Sequence, residues 1–309
     1  MKKNDKILVL GATGLVGSNL LKRLKDEGYT DVLHPTRSEL NLKNQDEVFE
    51  YFQWLPKYVF FCAAKVGGIK ANIENPFNFL IDNLIIQNNV IEAAIDFKVK
   101  KFINLGSSCI YPKDYTQPLK EEYLLKAPVE PTNEGYAIAK IAGLKLCEYA
   151  NRQFETKFIS LMPCNLFGPG DHYNLGTSHV LASLIKKVYN AIENDEDEIE
   201  IWGSGKPRRE FMYVEDLVDC MMWSIDNIDF VNTFINVGTG IDHSIIEMAE
   251  MVCKAFNRPD ISFKMKSDAP DGMMKKCLDV TSINQLGWKS KIDLQLGIEK
   301  TIALGEFDD

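Results

Sequence analysis

Through the first half of the chain, short runs of consecutive apolar residues alternate with longer stretches in which apolar residues recur every three or four positions. The short runs are "KILVL", "YVFFCA", "KFINLG" and "KFISLM". Each is bounded by glycine, proline or polar residues, the pattern of a strand buried on both faces of a parallel sheet. The longer stretches are "GLVGSNLLKRLKDEG", "DEVFEYFQWL", "PFNFLIDNLIIQNNVIEAAIDF" and "NEGYAIAKIAGLKLCEYANRQF", and their spacing is helical. Strand and helix in alternation predict an α/β fold with a doubly wound parallel sheet over residues 1–166. After Leu166 the regularity breaks. "FGPGDHYNLGTSH" is rich in glycine and polar residues, and short strands such as "EIEIW" and "TFINVG" mix with helices. A smaller C-terminal α/β domain is therefore expected over 167–309, with the chain returning to the sheet near 212–240, around Phe234 to Val237. The acidic segment "NDEDEIE" at 194–200 reads as a solvated turn. A ligand belongs in the cleft between the two parts, at the carboxyl ends of the strands.

Composition narrows the classes of function. A chain of 309 residues with 26% charged and 45% hydrophobic residues is an ordinary globular protein. Its net charge is −9, and no run of lysine or arginine is long enough to follow a phosphate backbone, so nucleic acid is not an expected partner. The apolar run Ile7 to Leu10 is too short for a signal peptide, and no stretch is long enough to span a bilayer. The seven cysteines are an odd number, with no Cys-x-x-Cys spacing and no nearby histidine pair. That argues against a disulfide framework or a structural zinc site, and for a reducing cytoplasm. Most of them read as small buried hydrophobes; Cys109 is set apart by its place beyond a strand.

In "KILVLGATGLVGSNL", Gly11, Gly14 and Gly17 lie directly after a strand and at the start of a helix. The first glycine allows the tight turn, the second lets the backbone approach a pyrophosphate, and the third lets helix and strand pack closely. This is the dinucleotide-binding turn of a Rossmann-type fold. An NAD-preferring turn is followed, at the exit of the second strand, by an acidic residue for the ribose hydroxyl. Here the strand is "DVLHP", and its exit carries Arg37 in "TRS". A cation there suits the 2′-phosphate of NADP.

"FINLGSSCIYP" puts Ser107, Ser108 and Cys109 just beyond a strand, on the same sheet edge as the glycine turn. Tyr136 and Lys140 stand four residues apart in "NEGYAIAK", so they share a helix face. Ser107 and Tyr136 can both reach a carbonyl oxygen. A tyrosine at its usual pKa of about 10 is a sluggish acid, and the adjacent Lys140 ammonium is expected to lower that value.

The triad Ser107, Tyr136 and Lys140 resembles that of the extended short-chain dehydrogenase/reductase superfamily. The segments "AAKVGGIKANIENP", "GSSCIYP", "EPTNEGYAIAKIAGLKLCE", "SHVLASLIKK", "WGSGKPRREFMYVEDL", "INVGTG" and "PDGMMKKCLDVTSINQLGW" are similar, in order, to those of the GDP-L-fucose synthase family. The resemblance covers nearly the whole chain. It implies NADPH-dependent conversion of GDP-4-keto-6-deoxy-D-mannose to GDP-L-fucose, by epimerisation at C3 and C5 followed by hydride transfer to C4. It further implies that Ser107 and Tyr136 hold the C4 oxygen, that Tyr136 protonates it, and that Lys140 tunes Tyr136 and binds the nicotinamide ribose. Cys109 and His179 match the family's epimerisation base and acid.

Carried over in the same way, the cofactor would meet Gly11, Thr13, Gly14, Leu15, Val16 and Gly17 in the first turn and Arg37 after the second strand. Beyond the later strands it would meet Ala63, Ala64, Leu105, Gly106, Pro163, Asn165 and Leu166, together with Lys140 and His179. The GDP-sugar would meet Ser107, Ser108, Cys109, Asn133, Tyr136, Asn165 and His179, and further out Lys187, Trp202, Arg209 and Asp279. Trp202 reads equally as plain core packing. The superfamily's symmetric homodimer, built on helices 76–98 and 134–152, is the expected assembly. The chain departs from the family pattern in three places: the glycine turn lacks the arginine many bacterial members carry, Cys164 stands where threonine is common, and Met273 and Met274 replace a usual Thr-Pro. Two other readings therefore stand beside the main one. One is a C4-reductase of a related GDP-4-keto sugar, a manno-heptose or dideoxy sugar, with little or no epimerisation. The other is a non-catalytic NADP-binding protein, which the Tyr136–Lys140 pair disfavours.

Overall fold

The computed structural model describes residues 1–228, 234–266 and 272–307. Thr233, Pro270 and Asp271 of the segments quoted above lie outside them. Six parallel strands form one sheet in the order β2-β1-β3-β4-β5-β9: β1 (Ile7–Leu10), β2 (Val32–Leu33), β3 (Tyr58–Phe61), β4 (Lys101–Leu105), β5 (Phe158–Pro163) and β9 (Phe234–Val237). The Rossmann-type doubly wound sheet expected from the alternation is what the chain adopts. Along β1, Ile7 and Val9 join one buried cluster while Leu8 and Leu10 join another. Both faces of the strand are covered, which is why its sequence is an unbroken apolar run. Helices α1 (Leu15–Asp26) and α7 (Val214–Asn227) cover the first face. The second is covered by α2 (Gln45–Phe52), α4 (Pro76–Asp96) and α5 (Glu134–Phe154), with a short α3 (Ile69–Glu74) before α4.

A third apolar cluster draws on α6 (Val180–Glu193), β7 (Glu198–Trp202), β8 (Arg208–Tyr213), α8 (Ile245–Ala255) and, after a short α9 (Thr281–Leu286), α10 (Leu294–Leu304). The acidic segment is a turn only as far as Asp197. From Glu198 it is strand β7, paired in parallel with β11 (Ser262–Lys266). Glu198 and Glu200 are exposed while Ile199 and Ile201 are buried, so the two-residue period outweighs the charge.

Strand β8 is flanked by β10 (Asp242–Ser244) on one side and β12 (Lys275–Lys276) on the other, and it also pairs with β6 (Asn165–Phe167). At its centre Glu210 is only 1% exposed. Its Oε1 accepts from the backbone N–H of Thr239 (2.6 Å) and Gly240 (2.8 Å), and its Oε2 from that of Leu278 (2.7 Å). Burial raises its pKa, and these donors pull it back. Glu210→Ala strands three buried N–H groups at once and is expected to cost on the order of 3 kcal/mol. Urea unfolding of the two proteins measures this, and an unchanged midpoint would show that water satisfies these groups equally well.

Candidate active site

The glycine turn is built as its spacing implies. Gly11 has φ +87°, and a Cβ on it would lie 2.6 Å from Ala63 N; one on Gly17 would lie 2.1 Å from Gly11 O. No larger residue fits either place. Gly14 has room, and it caps α1, whose first turn contains Leu15 and Val16 and carries no acidic side chain. Thr13 is exposed beside it. Open backbone N–H groups at the positive end of a helix fit a pyrophosphate. Ala63 and Ala64 follow β3, Leu105 and Gly106 close and follow β4, Pro163 ends β5, and Asn165 and Leu166 open β6. The expected cofactor positions thus fall along one edge of the sheet. Arg37 lies beyond β2, exposed, and no described residue forms an ion pair with it.

Next to this edge the chemistry is concentrated. Ser107 Oγ accepts from Cys109 N (3.2 Å), capping the tight turn Ser108–Ile110. It also hydrogen-bonds Tyr136 on α5. One turn further along the same helix, Lys140 is buried, with Nζ 5.8 Å from the Tyr136 ring centre and donating to Leu105 O at 2.7 Å. Burial takes its pKa down to about 8, opposed weakly by Cys62. The expectation that Lys140 lowers the Tyr136 pKa is corrected here. Burial and the neighbouring Cys109 charge push Tyr136 up, against the Ser107 hydrogen bond, and the ammonium is engaged by a backbone carbonyl instead. Tyr136 therefore keeps its proton and stands ready to donate it.

Cys109 behaves in the opposite sense. Burial alone would raise its pKa, but Lys276, Ser107 and Asn133 together bring it below the ordinary thiol value. Lys276 Nζ lies 3.5 Å from the sulfur and Asn133 Nδ2 3.3 Å from it. His179 is the residue just before α6; desolvation of its ring, and then the Lys276 charge, lower its pKa. The side-chain oxygens of Asn133 and Ser178, and Asn72 Oδ1 on α3, are buried without hydrogen-bond partners among the described residues. Groups of this kind fit polar atoms of a ligand.

The outer positions form other groups. Lys187 Nζ donates to Glu200 O at 2.7 Å and lies 5.5 Å from the Trp202 ring centre. Trp202 is 62% exposed, so it is not a core residue. Asn165 Nδ2 donates to Glu210 O at 2.9 Å. Arg209 sits opposite Lys276 in the β8–β12 register. Asp279 takes the N–H of Thr281 at 2.8 Å, while its own N–H donates to Leu119 O. Glu210, Lys276 and Ser178 belong to no expectation from the sequence. The one available signal was "KK" inside a quoted segment, since two adjacent lysines in a strand must face opposite ways.

Residues 7–238 match the NAD dependent epimerase/dehydratase family. The chain belongs to that family. It is 44% identical to the putative GDP-L-fucose synthase 2 of Arabidopsis thaliana, over 97% of this chain and 92% of the relative. It is 42% identical to the GDP-L-colitose synthase of Yersinia pseudotuberculosis, over 96% of each. Among solved structures, the GDP-mannoheptose C4 reductase from Campylobacter jejuni with NADP bound is similar with a TM-score of 0.91 and 34% identity, over 99% of each chain. As an extended short-chain dehydrogenase/reductase, this epimerase/dehydratase family member is an NAD(P)-dependent oxidoreductase.

The Lys140 environment sets a stability test. With its pKa at about 8 in the folded protein and 10.5 for a freely solvated lysine, the buried ammonium costs stability in full below pH 8, and the cost fades as pH rises toward 10.5. Relative to Lys140→Met, the parent protein should gain up to about 3 kcal/mol across that window. Urea unfolding of both at pH 7 and pH 10 measures it, and a constant difference would mean that burial does not penalise this charge.

Proposed function

We propose that this enzyme epimerises C3 and C5 of GDP-4-keto-6-deoxy-D-mannose and then reduces C4 with NADPH, giving GDP-L-fucose. The observation that carries this reading is a proton donor and a lowered-pKa thiol in one cleft: Tyr136 is driven toward its protonated form and Cys109 toward thiolate. Reduction of a ketone needs the first, and removal of a proton from carbon needs the second. The names of the relatives, which are GDP-linked sugar synthases and a GDP-sugar reductase, support the substrate class.

In this reading Ser107 and Tyr136 donate to the C4 oxygen, which takes up negative charge when a neighbouring carbon loses its proton. The Cys109 thiolate accepts that proton and releases it to water. His179, neutral in the protein at rest, takes a proton from solvent and returns it to the opposite face of the carbon. When bound, NADPH supplies hydride to C4. Tyr136 then gives its proton to the oxygen, and Lys140 holds the nicotinamide ribose. The exposed Arg37 suits the 2′-phosphate.

Residues 1–166 and β9 would carry the cofactor, and residues 167–309 mainly the GDP-sugar. Exposed apolar residues on α4 and α5, among them Phe77, Ile138 and Tyr149, support the homodimer, which sedimentation equilibrium tests directly. Seven free thiols are in keeping with the cytoplasm.

A second reading, reduction of a related GDP-4-keto sugar without epimerisation, is favoured by one feature. Met273 and Met274 line an open cavity of ≈ 540 Å³ with Lys113, Tyr115, Gln117 and Lys275, a flexible wall that suits a different sugar.

Heavy water separates the two. With GDP-4-keto-6-deoxy-D-mannose and NADPH, the enzyme should install deuterium on C3 and C5, and Tyr136→Phe should slow hydride transfer by about a hundredfold or more. Reduction without carbon-bound deuterium would leave only the reductase. For the cofactor, Arg37→Ala should weaken NADPH about tenfold or more and leave NADH little changed. Equal loss in fluorescence titrations with the two would remove Arg37 from phosphate recognition.

A further inference from the structure

No role attaches to Lys276 from the sequence, yet the fold delivers it to the reacting centre. Strand β12 pairs in parallel with β8, Lys275 opposite Arg208 and Lys276 opposite Arg209. Pleating sends the two lysines to opposite sides. Lys275 Nζ meets Asp242 Oδ2 at 2.8 Å, while Lys276 Nζ reaches Cys109 Sγ at 3.5 Å. The strand is held in place from both ends, by Arg208 N donating to Met274 O and by Leu278 N donating to Glu210. Among the described residues no carboxylate pairs with Lys276.

The groups facing Cys109 come from four places: Ser107 from its own turn, Asn133 from the turn before α5, Tyr136 from α5 and Lys276 from β12. Of these only Lys276 carries a positive charge. The same ammonium acts on His179. We propose that Lys276 is a positioning residue for epimerisation: its ammonium, 3.5 Å from Cys109 Sγ, favours negative charge on the sulfur and so readies it to accept a proton. The proposal rests on the epimerase reading for its function but on contacts within this chain for its physics. It gives Lys276 a second effect as well. Negative charge on that sulfur is one of the two causes that push the Tyr136 pKa up.

The decisive measurement needs no sugar. Alkylation of Cys109 by iodoacetamide, followed by peptide mass spectrometry across pH, gives the thiolate midpoint, and Cys109→Ser identifies its peptide. Lys276→Met should move that midpoint up by about one unit or more, slowing alkylation about tenfold at neutral pH. Lys276→Arg keeps the charge and should restore most of the reactivity, which also controls for folding. With GDP-4-keto-6-deoxy-D-mannose in heavy water, Lys276→Met should lose carbon-bound deuterium about tenfold. Oxidation of GDP-L-fucose by NADP, which runs the hydride step backwards without epimerisation, should lose much less. An unchanged alkylation midpoint overturns the proposal, even if KM for the sugar rises, because Lys276 would then serve only to hold substrate. A shifted midpoint in a protein that turns over no GDP-sugar sustains the Lys276–Cys109 coupling and removes only the reaction assigned to it.

Discussion

The walls of the cleft stand where they do because one carboxylate is buried between three chain segments. Glu210 follows Arg209 on β8, and its two oxygens gather the N–H groups of Thr239, Gly240 and Leu278. Its own carbonyl accepts from Asn165. A charge this far from water is tolerated only with such a set of donors, and removing any of them leaves a partner uncompensated. The segments it joins carry Arg209, Asn165, Lys276 and Asp279. A displacement of the Leu278 strand would carry Lys276 away from Cys109, so the electrostatics of the sulfur depend on a hydrogen bond two residues away.

Around that frame the ionisable groups are displaced in opposite directions. Burial works on all of them, but the local charges differ. Tyr136 lies beside Cys109 and is pushed up, Cys109 lies beside an ammonium and is pulled down, and Lys140, donating to a carbonyl, is left easier to neutralise. Groups of unlike ionisation, kept so by position and not by intrinsic chemistry, are what allow one pocket to act as acid and base at a single pH.

Much of this was written in short-range pattern. The strands β1, β3, β4 and β5 announce themselves as apolar runs, the glycine turn by its spacing, and Tyr136 with Lys140 by four-residue periodicity, because each depends on neighbours in the chain. Cys109 and Lys276 are 167 positions apart, and nothing local to either implies the other. Glu210 reads as one more acid in "KPRREF" until three distant N–H groups converge on it. The direction of the Tyr136 shift is not legible in the sequence for a related reason. Sequence shows that a lysine is adjacent, but not that burial dominates or that a carbonyl has captured the ammonium. In "NDEDEIE" the charge suggests a turn, and the alternation that marks the strand from Glu198 onward is visible only beside it.

The sixth strand also orders events in time. β5 ends at Pro163 and its outer neighbour β9 begins only at Phe234, with α6, β7, β8 and α7 in between. While the chain is being made, β5 is therefore the edge of a five-stranded sheet, with unpaired backbone groups and an apolar row that the finished protein buries completely. Its partner reaches it only after some seventy further residues have been added. A nascent chain stalled in that interval carries a ready template for another strand, so the same crossover that closes the sheet makes the speed of synthesis through this region matter to the yield of folded protein.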